Sequence, residues 1–510
     1  MILGEIRQAA GIAATLDDLF RRAGVRHPDA LALVDPPNRS SFTDGPPRSL
    51  SYAQADHAIS AFASRLRGLG LQADAVVALQ LPNTVDSIIA LLGVLRAGMI
   101  AAPLPLLWRR HEIVDALRRA GAKAIITCAR VGDTKHAEIA VHAAAELFPI
   151  RHICSFGENV PDGVVSTDDI FTTSIVDASA AQTRSESAAA HVAAVTFNVG
   201  ALGAIPVARN HIELISGGVA VLLESGVTQD ARLLSTIPVS TFAGMALTLV
   251  PWLLSGGTLH LHHGFDLSAF AAQLDAAKCA MLTLPAPALA SFGDAAFPGH
   301  ESCVVAALWR APERLRTGSP QPGTMSIVDV SSFGEVGIVA ARRETLDRPV
   351  AIPHGVISVP RGAIGAMTVI ETARANTGTL LLRGPMVPTA AFPPGAGSDG
   401  TAHLAIDRSG YVDTGFVCRL DVQTQSLTVT MPPPGMFNVG GYYLCQGDVD
   451  ACVGKAAPDA AVVPLPDRNL GHRLAGTAID RNNVAAALER QGANALIAGA
   501  FRRIGAGQAA

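Results

Sequence analysis

The period of the apolar positions changes repeatedly along the chain. AVVALQL (75–81) is a short unbroken apolar run, the pattern of a strand covered on both faces. Asn83 follows as a cap. Val85, Ile88, Ile89, Leu92 and Leu95 then recur three and four residues apart until Gly98, which predicts a helix with a glycine stop. His111 to Ala120 repeats the helical pattern with Ile113 and Leu117 inward, and Ala122 to Thr127 returns to a strand. Near the start, Thr15 with Asp18 three residues on reads as a helix N-terminus. Further strands are predicted at RLLSTIPV (232–239), AMLTLP (280–285), CVVAALW (303–309) and TMSIVDV (324–330). Strands alternating with helices imply crossover connections and largely parallel sheets, hence an α/β fold with ligand sites at the carboxyl ends of its strands.

The longest uncharged stretch, Leu233 to Phe265, raises the question of a membrane span. Pro238, Pro251 and Gly256-Gly257 break it, and Ser235, Thr236, Ser240, Thr241 and His260 dilute it. A span needs about 20 predominantly apolar residues in one helix. The stretch therefore reads as a buried strand, a buried helix and a second strand. The first twenty residues carry Glu5 and Arg7 and lack an apolar signal core, so a cytoplasmic protein is expected. Glu158 to Ala188, rich in Asp, Ser and Thr, reads as a surface excursion, and Pro432-Pro433-Pro434-Gly435 as a boundary.

Composition narrows the class. With 49% hydrophobic and 16% charged residues, the chain has ample apolar surface to offset the entropy of ordering. A net charge of -4 excludes a global basic field of the kind that draws nucleic acid. The seven cysteines are scattered with no CxxC pair, which suits buried thiols in a reduced compartment. His260 and His262 share one strand face beside His263, but only Asp266 accompanies them, too few donors for a metal site.

From about Thr15 onward the order of segments resembles the adenylate-forming ligases: acyl-CoA synthetases, peptide-synthetase adenylation domains and luciferases. Pro82-Asn83, Gly93-Val94-Leu95-Arg96-Ala97-Gly98 and Pro103-Leu104 mark the first part. SGGTLHLHHGFD, GTLLLRGP (378–385), GYVDTG (410–415), GGYYLCQGDVD (440–450) and AAVVPLPDRNLGHRLAG (460–476) continue the likeness. It implies a large N-terminal part of several subdomains with mostly parallel sheets, residues 1–431. A small, shortened α+β C-terminal domain, residues 432–510, would follow. It also implies ATP and Mg2+ as cofactors, possible use of coenzyme A, and a small carboxylic acid or acyl thioester as ligand. A carrier protein could be a partner, and a homodimer is compatible.

Adenylation needs a Gly-rich loop with hydroxyls around the phosphates, a magnesium carboxylate, a cation near the reacting groups and an acid on the ribose hydroxyls. Within Thr196–His211, matching the phosphate loop, Gly200, Gly203 and Pro206 remain, so backbone N–H groups could form an anion nest. Ala201 and Leu202 replace hydroxyl residues, and Val207 stands where the family has lysine. Arg209 could restore the charge, although a lone loop arginine is otherwise solvated. Glu335, preceded by Gly334 instead of threonine, matches the magnesium ligand and is the expected catalytic and metal-binding residue. Trp309-Arg310-Ala311-Pro312 matches the adenine turn; Trp309 would either stack on adenine or block it. Thr414-Gly415-Phe416 matches the ribose motif, but a phenyl ring accepts no hydroxyl hydrogen bond. Thr241 and Phe242 match the acyl-pocket turn.

The chain has four lysines, Lys123, Lys135, Lys278 and Lys455, and none lies in the final segment where the family carries its catalytic lysine. Arg502 and Arg503 are the cations nearest that place. Losing one such donor typically costs about 3–4 kcal/mol in the transition state. The sequence thus leaves open a divergent ligase, a catalytically silent acyl or partner binder, and ATP-independent acyl transfer.

Overall fold

The computed structural model describes residues 14–173, 187–264, 266–289, 302–315, 325–345, 349–360, 366–396, 402–467 and 470–502. Two sheets dominate. The first runs, edge to edge, through strands Val165–Ser166, His152–Phe156, Ala124–Cys128, Val76–Gln80, Ile100–Pro103, Val192–Gly200 and Gly203–Asn210. Every pairing in it is parallel except the last, a hairpin. The second sheet has eight strands, with a parallel centre formed by Leu31–Val34, Thr258–Leu261, Arg232–Ser235, Met281–Pro285, Val304–Trp309 and Ser326–Phe333.

The predicted elements follow from the apolar pattern. The run at 75–81 is the fully buried strand Val76–Gln80, and the three-four pattern after it is the helix Val85–Arg96. Thr84, rather than Asn83, precedes that helix. Asn83 turns inward instead, donating from Nδ2 to the carbonyls of Ser235 and His262 at 3.0 Å each. Gly98 closes the helix at φ 78°, a backbone region glycine enters freely. Thr15 and Asp18 form a reciprocal capping box on the helix Leu16–Arg26.

The uncharged stretch folds as expected: strand Arg232–Ser235, a continuous buried helix from Phe242 to Ser255, and strand Thr258–Leu261. Its middle turn, Met245–Leu249, is π-helical, a widening often found beside functional sites. Among the described residues no helix is long and apolar enough to cross a membrane, and no three metal-ligating side chains converge. The excursion after Glu158 contains a short strand, Val165–Ser166, and a helical turn, Asp168–Phe171; residues 174–186 lie outside the described residues.

A six-stranded antiparallel sheet follows, and then a four-stranded antiparallel sheet that starts at Met436. The helices Gln446–Ala456, Arg481–Gln491 and Ala495–Gly499 cover this last sheet, and its core, from Phe437 to Phe501, is separate from the rest. The chain is thus a large, mostly parallel α/β part followed by a smaller part with an antiparallel sheet. The smaller part is held to the larger by Arg110, which donates to the Gln491 carbonyl at 3.0 Å. The His111 N–H donates to Gly492, Arg314 to Asp467, and Tyr443 to Glu313.

Candidate functional site

The carboxyl ends of strands Val192–Gly200, Arg232–Ser235, Val304–Trp309 and Ser326–Phe333 converge, and the smaller part closes over them. A cleft with a cavity volume of about 90 Å3 lies between the two. Trp108, Phe197, Asn198, Thr241, Arg310, Glu335, Tyr442 and Tyr443 are among its walls. One water needs about 10–15 Å3 on such a measure, so the space matches roughly six waters.

Glu335 sits at the floor, 7% exposed. Its Oε2 accepts the Phe242 N–H at 2.7 Å, and its own N–H donates to Asn198 Oδ1 at 3.1 Å. Burial pushes its carboxyl above the ordinary range. The Phe242 N–H, the Thr196 hydroxyl and the charges of Arg209 and Arg310 oppose that shift. The carboxylate thus caps the turn that begins the buried helix. Gly334 adopts φ 57°, and a Cβ there would lie 2.2 Å from Asn198 Oδ1, so Asn198 occupies the space a larger residue at 334 would need.

The stretch matched to the phosphate loop is a regular hairpin. Val192–Gly200 pairs with Gly203–Asn210, Gly200 stands opposite Gly203, and only Ala201 and Leu202 form the turn. Ladder hydrogen bonds leave no run of free N–H groups on the hairpin arms for a nest. Gly203, at φ 86°, packs its tip against the Asp115–Arg119 ion pair. Pro206 pairs with Phe197, and Val207 is buried in the core.

Arg209 departs from both sequence expectations, since it is neither a phosphate ligand facing an open loop nor a solvated surface residue. It is 1% exposed, with its guanidinium 3.6 Å above the Phe242 ring. Its nitrogens donate to the carbonyls of Met386, Glu335 and, at 2.8 Å, Val336. Burial pulls its pKa down to about 10. The residue belongs to the floor beneath Glu335.

Trp309 does not line the cleft. Its indole Nε1 donates to Asp329 Oδ1 at 2.8 Å, on the side packed against Phe270 and Leu274. Ala311 lies two residues beyond the end of the strand and precedes a one-turn helix. The next residue after Trp309 is the one that enters the cleft: Arg310 donates from Nη2 to Thr241 Oγ1 at 3.3 Å, with its guanidinium carbon 5.7 Å from the Tyr442 ring centre. Thr241 also accepts the Gly244 N–H at 3.1 Å, while Phe242 is fully buried against helix His211–Ser225.

At the ribose position Phe416 is 2% exposed. Its ring meets Phe333 and Tyr443 edge-on, each at 5.8 Å between centres. Thr414 Oγ1 donates to the Leu380 carbonyl, and Asp413 points outward, accepting from Thr379 at 2.8 Å. All four lysines are exposed and none lines the cleft. Arg502 is exposed and paired with Glu489; Arg503 lies outside the described residues.

The site therefore brings together Glu335, Gly334 and Thr241 from the sequence-predicted set, with Arg209 and Phe242 directly beneath. Trp309, Gly203 and Thr414 lie elsewhere. Sequence reasoning passed over Arg310, Asn198 and the Tyr442-Tyr443 pair. The last was visible as an aromatic doublet in GGYYLCQGDVD, and Arg310 as a charge inside a turn that otherwise favours small residues. As arranged, these residues do not fit a Mg·ATP complex. The one retained carboxylate caps a backbone N–H, and the ribose position holds a ring.

The pattern that defines AMP-binding enzymes matches residues 20–331, and the chain belongs to that family. It is 25% identical to 3-[(3aS,4S,7aS)-7a-methyl-1,5-dioxo-octahydro-1H-inden-4-yl]propanoyl:CoA ligase of Mycobacterium tuberculosis, covering 93% of this chain and 91% of that one. It is 26% identical to 2-hydroxy-7-methoxy-5-methyl-1-naphthoate–CoA ligase of Streptomyces carzinostaticus, over 88% of this chain and 80% of the relative. The fold matches the apo structure of MbtA from Mycobacterium smegmatis with a TM-score of 0.64 and 22% identity, covering 96% of this chain and 92% of that one. The protein is an acyl-CoA ligase-like member of the adenylate-forming enzymes, a family that normally uses ATP with Mg2+ and coenzyme A.

Proposed function

We propose that this chain uses the ligase scaffold to bind an acyl compound, a carboxylic acid or its thioester, without turning over ATP. The observation that carries this reading is the ring cluster of Phe333, Phe416 and Tyr443 where the family grips ribose. A buried phenyl ring offers no acceptor to a sugar hydroxyl, and removing it would open a hole in the core. The hairpin at the phosphate-loop position supports the same reading. The acyl group would reach the site as the free acid, on coenzyme A or on a carrier protein, in a reducing cytoplasm suited to the unpaired cysteines.

Calorimetric titration with Mg·ATP tests this without knowledge of the acid. The expected result is no saturable heat up to millimolar ATP, together with a rise in melting temperature from an acid or acyl-CoA. Saturable Mg·ATP binding would overturn it. One feature favours a second reading, ATP-dependent acid–thiol ligation. Glu335 stands at the end of a parallel strand beside Arg310, where the family holds magnesium. That reading requires Mg·ATP binding that disappears in Glu335→Ala.

A further inference from the structure

The cleft holds one cation, Arg310, among its described lining residues, and the walls around it are aromatic. The guanidinium has five donors, and its one described hydrogen bond goes to the Thr241 hydroxyl. The neighbouring acid, Glu335, does not neutralise it through direct contact: Oε2 is taken by the Phe242 N–H, and no ion pair between Arg310 and a carboxylate occurs among the described residues. A half-buried guanidinium with unused donors is matched by a planar anion that it can grip through two parallel hydrogen bonds. Around that position stand Trp108 and Phe197, 5.6 Å apart between ring centres and tilted by 57°, with Tyr442 facing the guanidinium. Flat apolar walls with one cation at the floor select a flat apolar anion. The space, about 90 Å3, suits a compact ligand.

We propose that Arg310 and Thr241 anchor the carboxylate of a small aromatic acid whose ring lies against Trp108, Phe197 and Tyr442. This inference rests on the acyl-binding reading above and specifies its ligand. Arg310 fixes the carboxylate as a specificity residue, Thr241 orients the guanidinium, and the aromatic walls exclude water from the ion pair. Tyr442 comes from the smaller part of the chain, so the binding site is complete only when that part is docked.

Benzoate, benzamide, cyclohexanecarboxylate and hexanoate, titrated by calorimetry, test the proposal on the full chain. Hexanoyl-CoA serves as a thioester control. Benzoate is expected to bind saturably and quench Trp108 fluorescence. Benzamide, which keeps the ring and loses the charge, should bind at least tenfold more weakly, as should benzoate to Arg310→Met. Cyclohexanecarboxylate and hexanoate should also bind more weakly than benzoate. Equal binding of benzamide, or an unchanged affinity in Arg310→Met, overturns the proposal. If hexanoate or hexanoyl-CoA binds and benzoate does not, the aromatic-acid inference fails while the acyl reading stands. If nothing binds the folded protein, both fail. Should Arg310→Met not fold, the benzoate–benzamide comparison on the unaltered protein still decides.

Discussion

Taking a guanidinium out of water costs several kcal/mol unless its donors are satisfied. Arg209 meets that cost through three backbone carbonyls and the face of Phe242, so its charge serves the floor of the cleft rather than a phosphate. Arg209→Met should therefore lower the stability of the larger part by about 3 kcal/mol or more, because the carbonyls are left buried and unpaired. The shift of the urea midpoint measures this. Phe416 makes the complementary case. Phe416→Asp recreates the residue type that the family uses on ribose, but it places a carboxylate between Phe333 and Tyr443. We expect a loss of about 3–5 kcal/mol and no gain of ATP binding. Thermal unfolding and Mg·ATP calorimetry on the variant check the two halves separately, and restored ATP binding would show that the pocket behind Phe416 is otherwise intact.

At the scale of elements, the helix His211–Ser225 lies so close to the buried helix after Thr241 that glycine is required at the crossing. A Cβ on Gly218 would stand 2.2 Å from Val250, and one on Gly217 would stand 2.6 Å from Phe242. Gly218→Ala should thus destabilise by about 1–3 kcal/mol, and Val250→Ala should recover little of that loss in the double variant, because the Val250 Cβ, which alanine keeps, itself stands 2.2 Å away. A double-mutant cycle by urea unfolding measures the coupling.

Legibility in the sequence differs between elements for the same reason. Strand Val76–Gln80 and helix Val85–Arg96 could be read because burial imposes a period on consecutive residues. The hairpin at Val192–Asn210 could not be separated from an open glycine loop. Its glycines fit both, and cross-strand pairing leaves little mark on a short run. Arg310, rather than Trp309 as expected, enters the cleft because one residue of register decides which of two neighbours faces it. Asn198 carried no signal, since its partner Gly334 lies 136 positions away and meets it only in the fold.

Across the whole molecule, buried histidines set the response to acid. Burial pulls His136 down to about 3, and His260 and His263 to about 4, while an unfolded histidine titrates near 6.5. Between those values the unfolded chain takes up protons that the folded chain refuses, so stability falls as pH drops below about 6.5. The carboxyls of Glu112, Glu213 and Glu335, raised by burial, act in the opposite sense. Their folded forms keep protons that the unfolded chain releases as pH rises above about 4.5, which reduces stability at higher pH. Urea midpoints at pH 7.5 and 5.5 show the net of the two effects, and His136→Gln should shift their difference by the share that His136 contributes, separating the histidine effect from that of the carboxyls.

The docking of the smaller part has a mechanical side as well. Tyr442 and Tyr443 reach into the larger part from the strand Tyr442–Cys445, and the cleft exists only while that strand is seated. A molecule in the cleft touches both bodies at once, and so acts as a removable rivet between them. Cutting the chain at Pro432–Gly435 would then not separate the two pieces at once. The direct hydrogen bonds at Arg110, His111, Arg314 and Tyr443 would set a baseline lifetime, and its lengthening as the cleft fills would report occupancy without any chemical readout.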